Sequence, residues 1–159
     1  MPVIPDSLYR QCESRLRDRW AAIERAEKRL REARQRAYSA SAAPMDRPGG
    51  SGSGKGDALE RKALAVAEAE QALEDALAWD DVIRRLDRIY PSSTPEGEVA
   101  AYLYGNGLTQ ADCCRLLHKE RKRIRELKDA YIINCALLAI QAGLARMEEE
   151  HGTAGKTAE

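Results

Sequence analysis

The chain has 159 residues with 26 Lys/Arg against 26 Asp/Glu, so it is formally neutral and has no overall charge that would hold it on a polyanion. One third of the residues are charged, aromatics make up 5% and phenylalanine is absent, which excludes a thick globular core and favours long helices. No run of 18 or more apolar residues occurs, which excludes a membrane-spanning helix, and no secretory signal precedes the four cysteines.

From Ser7 to about Tyr38 the residues Tyr9, Cys12, Leu16, Ile23, Ala26, Leu30, Ala33 and Ala37 recur at three- and four-residue steps. That spacing predicts one long helix with a heptad-like seam. Arg19 falls on a seam position, with Trp20 beside it. Ser39–Gly56 carries Pro44, Pro48 and alternating Gly and Ser, and is expected as a flexible, non-helical joint. Within it Gly49-x4-Gly54-Lys55 fits most of a phosphate-loop pattern. However, Gly56 replaces the Ser/Thr that would hold magnesium, and no strand precedes the stretch, so no nucleotide or other cofactor is expected. Asp57 to about Tyr90 is expected as a second long helix, with Leu59, Ala63, Val66, Leu73, Leu77, Ile83, Leu86 and Tyr90 along its seam. Ten Lys/Arg against five acids in residues 10–36 face nine acids against five bases in 57–90, which favours antiparallel pairing. Exposed ion pairs are worth only about 0 to 1 kcal/mol each, so they add specificity more than stability.

Pro91-Ser92-Ser93-Thr94-Pro95 breaks the pattern, and Thr94 can cap a short helix from Pro95 to about Tyr104. Next, Leu108, Cys113, Cys114 and Leu117 share one face of a short helix that Thr109 can cap, with Asp112 three residues on. After the turn Leu117-His118-Lys119, Ile124, Leu127 and Tyr131 share a face of another helix. Two such faces can close one small core, as in a helix-turn-helix. Between Asp112 and Lys128 seven Lys/Arg stand against three acids. With the apolar face inward, Arg121, Lys122 and Arg125 must point outward, and Arg115, Lys119, Arg123 and Lys128 widen the basic surface. A basic face of this kind displaces counterions from phosphates and can place side chains in a major groove; the bland alternative is a solvated helix face. The candidate DNA-contacting residues are Lys119, Arg121, Lys122, Arg123, Arg125 and Lys128. Past Ile132 the pattern continues through Cys135, Leu138, Ala142 and Ala145, so this helix is expected to run to about Glu150 and to offer a self-association face. Cys12, Cys113, Cys114 and Cys135 contain no C-x-x-C pair and read as reduced core thiols. Neither catalysis nor a metal is expected.

Tyr102-Leu103-Tyr104, Gly105-Asn106-Gly107-Leu108-Thr109, Cys113-Cys114, Leu117, Ile124, Leu127 and Ile132 together resemble the sigma-factor region-four type of helix-turn-helix in small phage regulators of the RinA and ArpU kind. The joint at Pro44–Asp57 is similar to the Pro/Gly-rich joint between the long helices of such proteins. His118 stands where that family commonly has glycine, Lys119 where it has an apolar residue, and Glu120 where it has a Ser/Thr cap. Glu120 can either accept from a cytosine amino group or complement the helix dipole.

The resulting expectation is an all-α chain. Residues 1–90 form a long antiparallel, coiled-coil-like hairpin, residues 95–150 form a helix-turn-helix domain with an extended C-terminal helix, and 151–159 form a disordered tail. The resemblance implies a sequence-specific transcriptional regulator of phage or prophage genes, cytoplasmic and nucleoid-associated in a bacterial host. Its expected partners are double-stranded DNA, host RNA polymerase and a second copy of the chain. A small terminase subunit that recognises DNA for packaging, or a helical adaptor that binds no nucleic acid, would share these features.

Overall fold

Apolar residues at helical spacing organise the described residues, 3–42 and 52–147 of a computed structural model, into six α-helices with no strand among them. They are α1 (Asp6–Arg17), α2 (Arg19–Ala42), α3 (Gly52–Ile89), α4 (Pro95–Ala100), α5 (Gln110–Leu117) and α6 (Arg121–Gln141). The described residues are all-α, as expected, and none of these helices is long and apolar enough to cross a membrane.

The chain divides into two compact units, Met1–Arg19 with Ala78–Glu159, and Trp20–Leu77. The division expected between residues 90 and 95 is therefore not where the packing falls. The reason is the last turns of α3, where Trp79, Val82, Ile83 and Leu86 form one i, i+3, i+4, i+7 face and enter the same core as α1 and α6. That core takes Leu8, Cys12 and Leu16 from α1, and Ile132, Cys135, Ala136 and Ala139 from α6. In the other unit, α2 packs on α3 through Leu30, Ala33 and Ala69, with Val66 and Leu73 at the edge. Arg29–Glu68 and Arg34–Glu70 flank this contact at 3.7 and 3.6 Å, all four side chains well exposed.

Several sequence expectations need correction. The first long helix is two helices, broken at Asp18 beside the polar seam residue Arg19. Arg19 is spent on an ion pair: its Nε donates to the buried Asp80 at 2.6 Å and its Nη1 to Asp87 at 3.2 Å, while Arg84 holds the second Asp80 oxygen at 3.0 Å. The expected joint is partly helical, because α2 continues to Ala42 and α3 already begins at Gly52. Alanine is the best helix former, and an internal glycine costs only about 1 kcal/mol, which a long packed helix absorbs. Residues 43–51, where the phosphate-loop-like pattern begins, lie outside the described residues. On α3 the seam residues Leu59 and Leu77 are exposed, whereas Ala69, Ala76, Trp79 and Val82 are buried.

The final helix stops at Gln141 and does not reach Glu150. Gly143 adopts φ +76°, its N–H donates to the Ile140 carbonyl at 3.0 Å, and Leu144 donates to the Ala139 carbonyl at 2.9 Å. This paired arrangement is the Schellman stop, which favours glycine because a β-carbon is penalised at positive φ. The tail 151–159 lies outside the described residues. The expected self-association face is also largely consumed internally. Ile132 and Cys135 are fully buried in the chain's own core and Leu138 packs against it, leaving Ala142 exposed.

Helix α4 starts as expected: Thr94 accepts from the Gly97 amide at 3.1 Å and Pro95 takes the first helical position. The helix runs on through a π-helical turn, Ala101–Gly105. A β-carbon on Gly97 would overlap the carbonyl oxygens of Pro91 and Tyr90. Both obstacles are backbone and cannot rotate away. Gly97→Ala is therefore expected to destabilise the fold by about 1 to 3 kcal/mol, seen as a lower denaturant midpoint at unchanged slope.

Candidate nucleic-acid interface

Thr109 and Asp112 exchange hydrogen bonds at the start of α5. The Asp112 amide donates to Thr109 Oγ1 at 3.1 Å, and the Thr109 amide donates to Asp112 Oδ2 at 3.0 Å. That amide and the Thr109 hydroxyl hold the Asp112 carboxyl below the usual carboxylate range, with Arg115 beside it adding to the effect. This capping box fixes where α5 begins. The helix ends at His118, which adopts the left-handed conformation (φ 52°, ψ 44°), and the Lys119 amide donates back to the Cys114 carbonyl at 3.2 Å. His118 thus takes the backbone geometry for which glycine is better suited, and a non-glycine residue there costs about 1 to 2 kcal/mol.

The turn delivers α6 onto α5 over a small core of Val99, Leu103, Cys113, Ile124 and Leu127, with Tyr102, Cys114 and Leu117 at its edge. Since Ile124 and Leu127 are buried, Arg121, Lys122, Arg123 and Arg125 are exposed at the start of α6, as the spacing predicts. Arg123 contacts Glu126 at 3.5 Å. Arg121, Lys122 and Arg125 make no ion pair with a described residue. Lys119 is half-buried in the turn.

Lys128 differs from the rest of the basic set. Its side chain is only 11% exposed, its Nζ lies 2.9 Å from Glu13 Oε2, and it sits over the Tyr9 ring. Glu13 also accepts from the Tyr104 hydroxyl at 2.9 Å and contacts Arg17 at 3.5 Å. Burial pushes the Glu13 carboxyl up, but the hydrogen bonds from Lys128 and Tyr104 outweigh it and hold the carboxyl below the usual range. Lys128 is therefore first a tie between α6 and α1. Tyr9 adds a second tie, donating to Asp129 at 2.6 Å, and its hydroxyl is pushed well above its ordinary pKa by burial and by that carboxylate.

An open depression lies beside the basic stripe, lined by Arg17, Arg121, Arg125 and Lys128 together with Leu103 and residues 107–111. Lys122 and Arg123 do not line it. Arg17 comes from α1, remote in sequence from the helix pair, and no spacing rule could have placed it there. Its guanidinium lies 5.7 Å from the centre of the Tyr104 ring.

Cys113 is buried and burial pushes its thiol up, while the hydrogen bond between Cys12 and Cys135 lowers the Cys12 thiol and, with burial, pushes the Cys135 thiol up. Among the described residues no cluster of three or more His, Cys, Asp or Glu side chains could hold a metal. Comparison of the chain with family models, with curated proteins and with solved structures returns no match.

Two outcomes test this local geometry. His118→Gly relieves the left-handed backbone and is expected to raise stability by about 1 kcal/mol, part of the gain being offset by the freer unfolded glycine. Chemical denaturation measures it, and a decrease in stability would show that the imidazole itself holds the turn. For Glu13 the folded carboxyl titrates lower than the unfolded one. Its contribution is thus complete above the ordinary glutamate range and disappears as pH falls through the folded value. Glu13→Gln should flatten that acid limb in a pH series of melting temperatures.

Proposed function

We propose that this chain is a DNA-binding regulator of phage or prophage genes that presents the start of α6 to the major groove of a duplex. One observation carries the reading: the core beneath α5 and α6 leaves Arg121, Lys122, Arg123 and Arg125 exposed together, with Arg121, Lys122 and Arg125 in no ion pair with a described residue. Four cations within about one and a half helical turns repel one another, and a neutral chain has no general need for such a cluster. A phosphate backbone offsets that repulsion by exchanging its condensed counterions for protein charge. Arginine is also suited to the paired acceptors of guanine in the groove. The capped α5, the left-handed turn at His118 and the aromatic helix end at Tyr102–Tyr104 support the resemblance to a sigma-factor region-four helix-turn-helix.

The contact of α2 with α3 supports the hairpin part of the reading. If the two helices ran parallel through Leu30, Ala33 and Ala69, the chain between Ala42 and Gly52 would have to bridge about 40 Å. Ten extended steps reach only about 35 Å. That difference favours an antiparallel pair, and a helical hairpin of this kind suits contact with a protein partner such as polymerase.

Fluorescence anisotropy with a labelled duplex across a salt series tests the DNA reading. Wild type should bind with an affinity that falls steeply with salt. Alanine at Arg121, Lys122 and Arg125 should lower the slope by about 1 for each side chain that touches a phosphate, and for each one that reads a base it should cost about 1 to 3 kcal/mol of discrimination. A wild type that shows no salt-dependent duplex binding would leave a helical adaptor as the better description.

A further inference from the structure

We propose that the depression walled by Arg17, Arg121 and Arg125 seats a backbone phosphate of the duplex, so that α1 is itself part of the DNA-contacting surface. This rests on the DNA reading above and specifies it. Four of the ten residues that line the depression are cations and none is acidic. Glu13 offsets one of these charges, more closely at Lys128 (2.9 Å) than at Arg17 (3.5 Å), which leaves a net positive lining led by Arg121 and Arg125. Nearby acids are shared: Glu13 meets Lys128 and the Tyr104 hydroxyl at 2.9 Å and Arg17 only at 3.5 Å, and Asp112 holds the Thr109 amide and Arg115.

Arg17 is pre-positioned for this role. Its guanidinium is oriented by a long 3.5 Å contact from Nη2 to Glu13 on its own helix and by the Tyr104 ring, while the side chain keeps 61% of its exposure. A planar guanidinium held by a ring on one side can still offer its other N–H groups to a phosphate, which is the geometry in which arginine binds phosphate best. Arg121 and Arg125 lie one turn apart on α6 and line the same depression. Gln110 and Ala111 in the lining add no repulsion, because their first-turn amides have no acceptor within the helix. The open volume, about 410 Å³, exceeds what a single small ion fills and suits an extended sugar–phosphate strand. The same stripe of α6 would thus meet groove and backbone together, with α1 gripping the strand at the groove edge.

The test is anisotropy of a labelled mixed-sequence duplex over a potassium chloride series, on the full chain. Arg17→Gln is expected to weaken binding about five- to tenfold near 0.1 M salt and to reduce the salt slope by about 1, as when a single phosphate is no longer neutralised. Gln110→Glu, which puts a carboxylate on the rim without touching Arg17 or its partners, should weaken binding to a similar extent, so the conclusion does not hang on one variant's folding. Arg88→Gln, on α3 and outside the depression, should leave the slope unchanged. If wild type binds the duplex and both rim variants match it, or if Arg88→Gln lowers the slope equally, the phosphate seat is wrong while the DNA reading stands. If wild type ignores the duplex, the DNA reading itself fails. Saturable capture of inorganic phosphate that Arg17→Gln abolishes, without duplex binding, would make the depression a small-anion site and overturn the backbone seat.

Discussion

Helix α6 is buried along two different lines, and the unit that contains it is arranged around that fact. Ile124 and Leu127 close the core beneath α5, while Ile132, Cys135, Ala136 and Ala139 close the core with α1 and the end of α3. A large aliphatic side chain fully withdrawn from water contributes about 1.5 to 3 kcal/mol, against about 0 to 1 kcal/mol for an exposed ion pair. The apolar lines therefore set the rotation of the helix and the cations follow. Arg121 and Arg125 stand where they do because their neighbours at 124 and 127 have no other place to go.

A polar seam runs between these cores and does what a phenylalanine-free chain cannot do with rings alone. Four of the six tyrosines take part: Tyr9 donates to Asp129, Tyr104 to Glu13 and Tyr131 to Asp87, and Tyr90 accepts from Asn134. Each ring buries apolar area while its hydroxyl meets one particular partner, so sliding a helix by one residue would leave a carboxylate or hydroxyl unmatched in a desolvated place. The Tyr104 and Tyr131 hydroxyls are pushed well above their ordinary pKa by burial and by the neighbouring carboxylates, so they remain neutral donors. Among the described residues no buried side-chain nitrogen or oxygen lacks a partner.

Local signals in the sequence are sufficient wherever a local rule governs. The Thr94 and Thr109 caps, the Asp112 exchange, the inward set Val99, Leu103, Cys113, Ile124 and Leu127, and the outward set Arg121, Lys122, Arg123 and Arg125 all follow from spacing and cap chemistry. What escapes such rules is set by partners distant in sequence. Arg19 reads as a flaw in a seam until Asp80 supplies its partner, and Lys128 reads as a surface cation until Glu13 claims it. Arg17 gives no hint that α1 brings it to the depression beside the start of α5. The stop at Gly143 is legible as a glycine, but an apolar pattern that continues past it points the other way.

The tie between Tyr9 and Asp129 joins residues 120 positions apart. A ribosome adds about 5 to 20 residues per second, so about 6 to 24 s separate the emergence of Tyr9 from that of its partner. Until the end of α3 emerges, Leu8, Cys12 and Leu16 have no helix to cover them, and from then until Ile132, Cys135, Ala136 and Ala139 arrive their core is only partly closed. The helix that bears the exposed arginines is also the one that ends this wait, and a nascent chain halted before α6 would keep that core open and lack the arginine stripe.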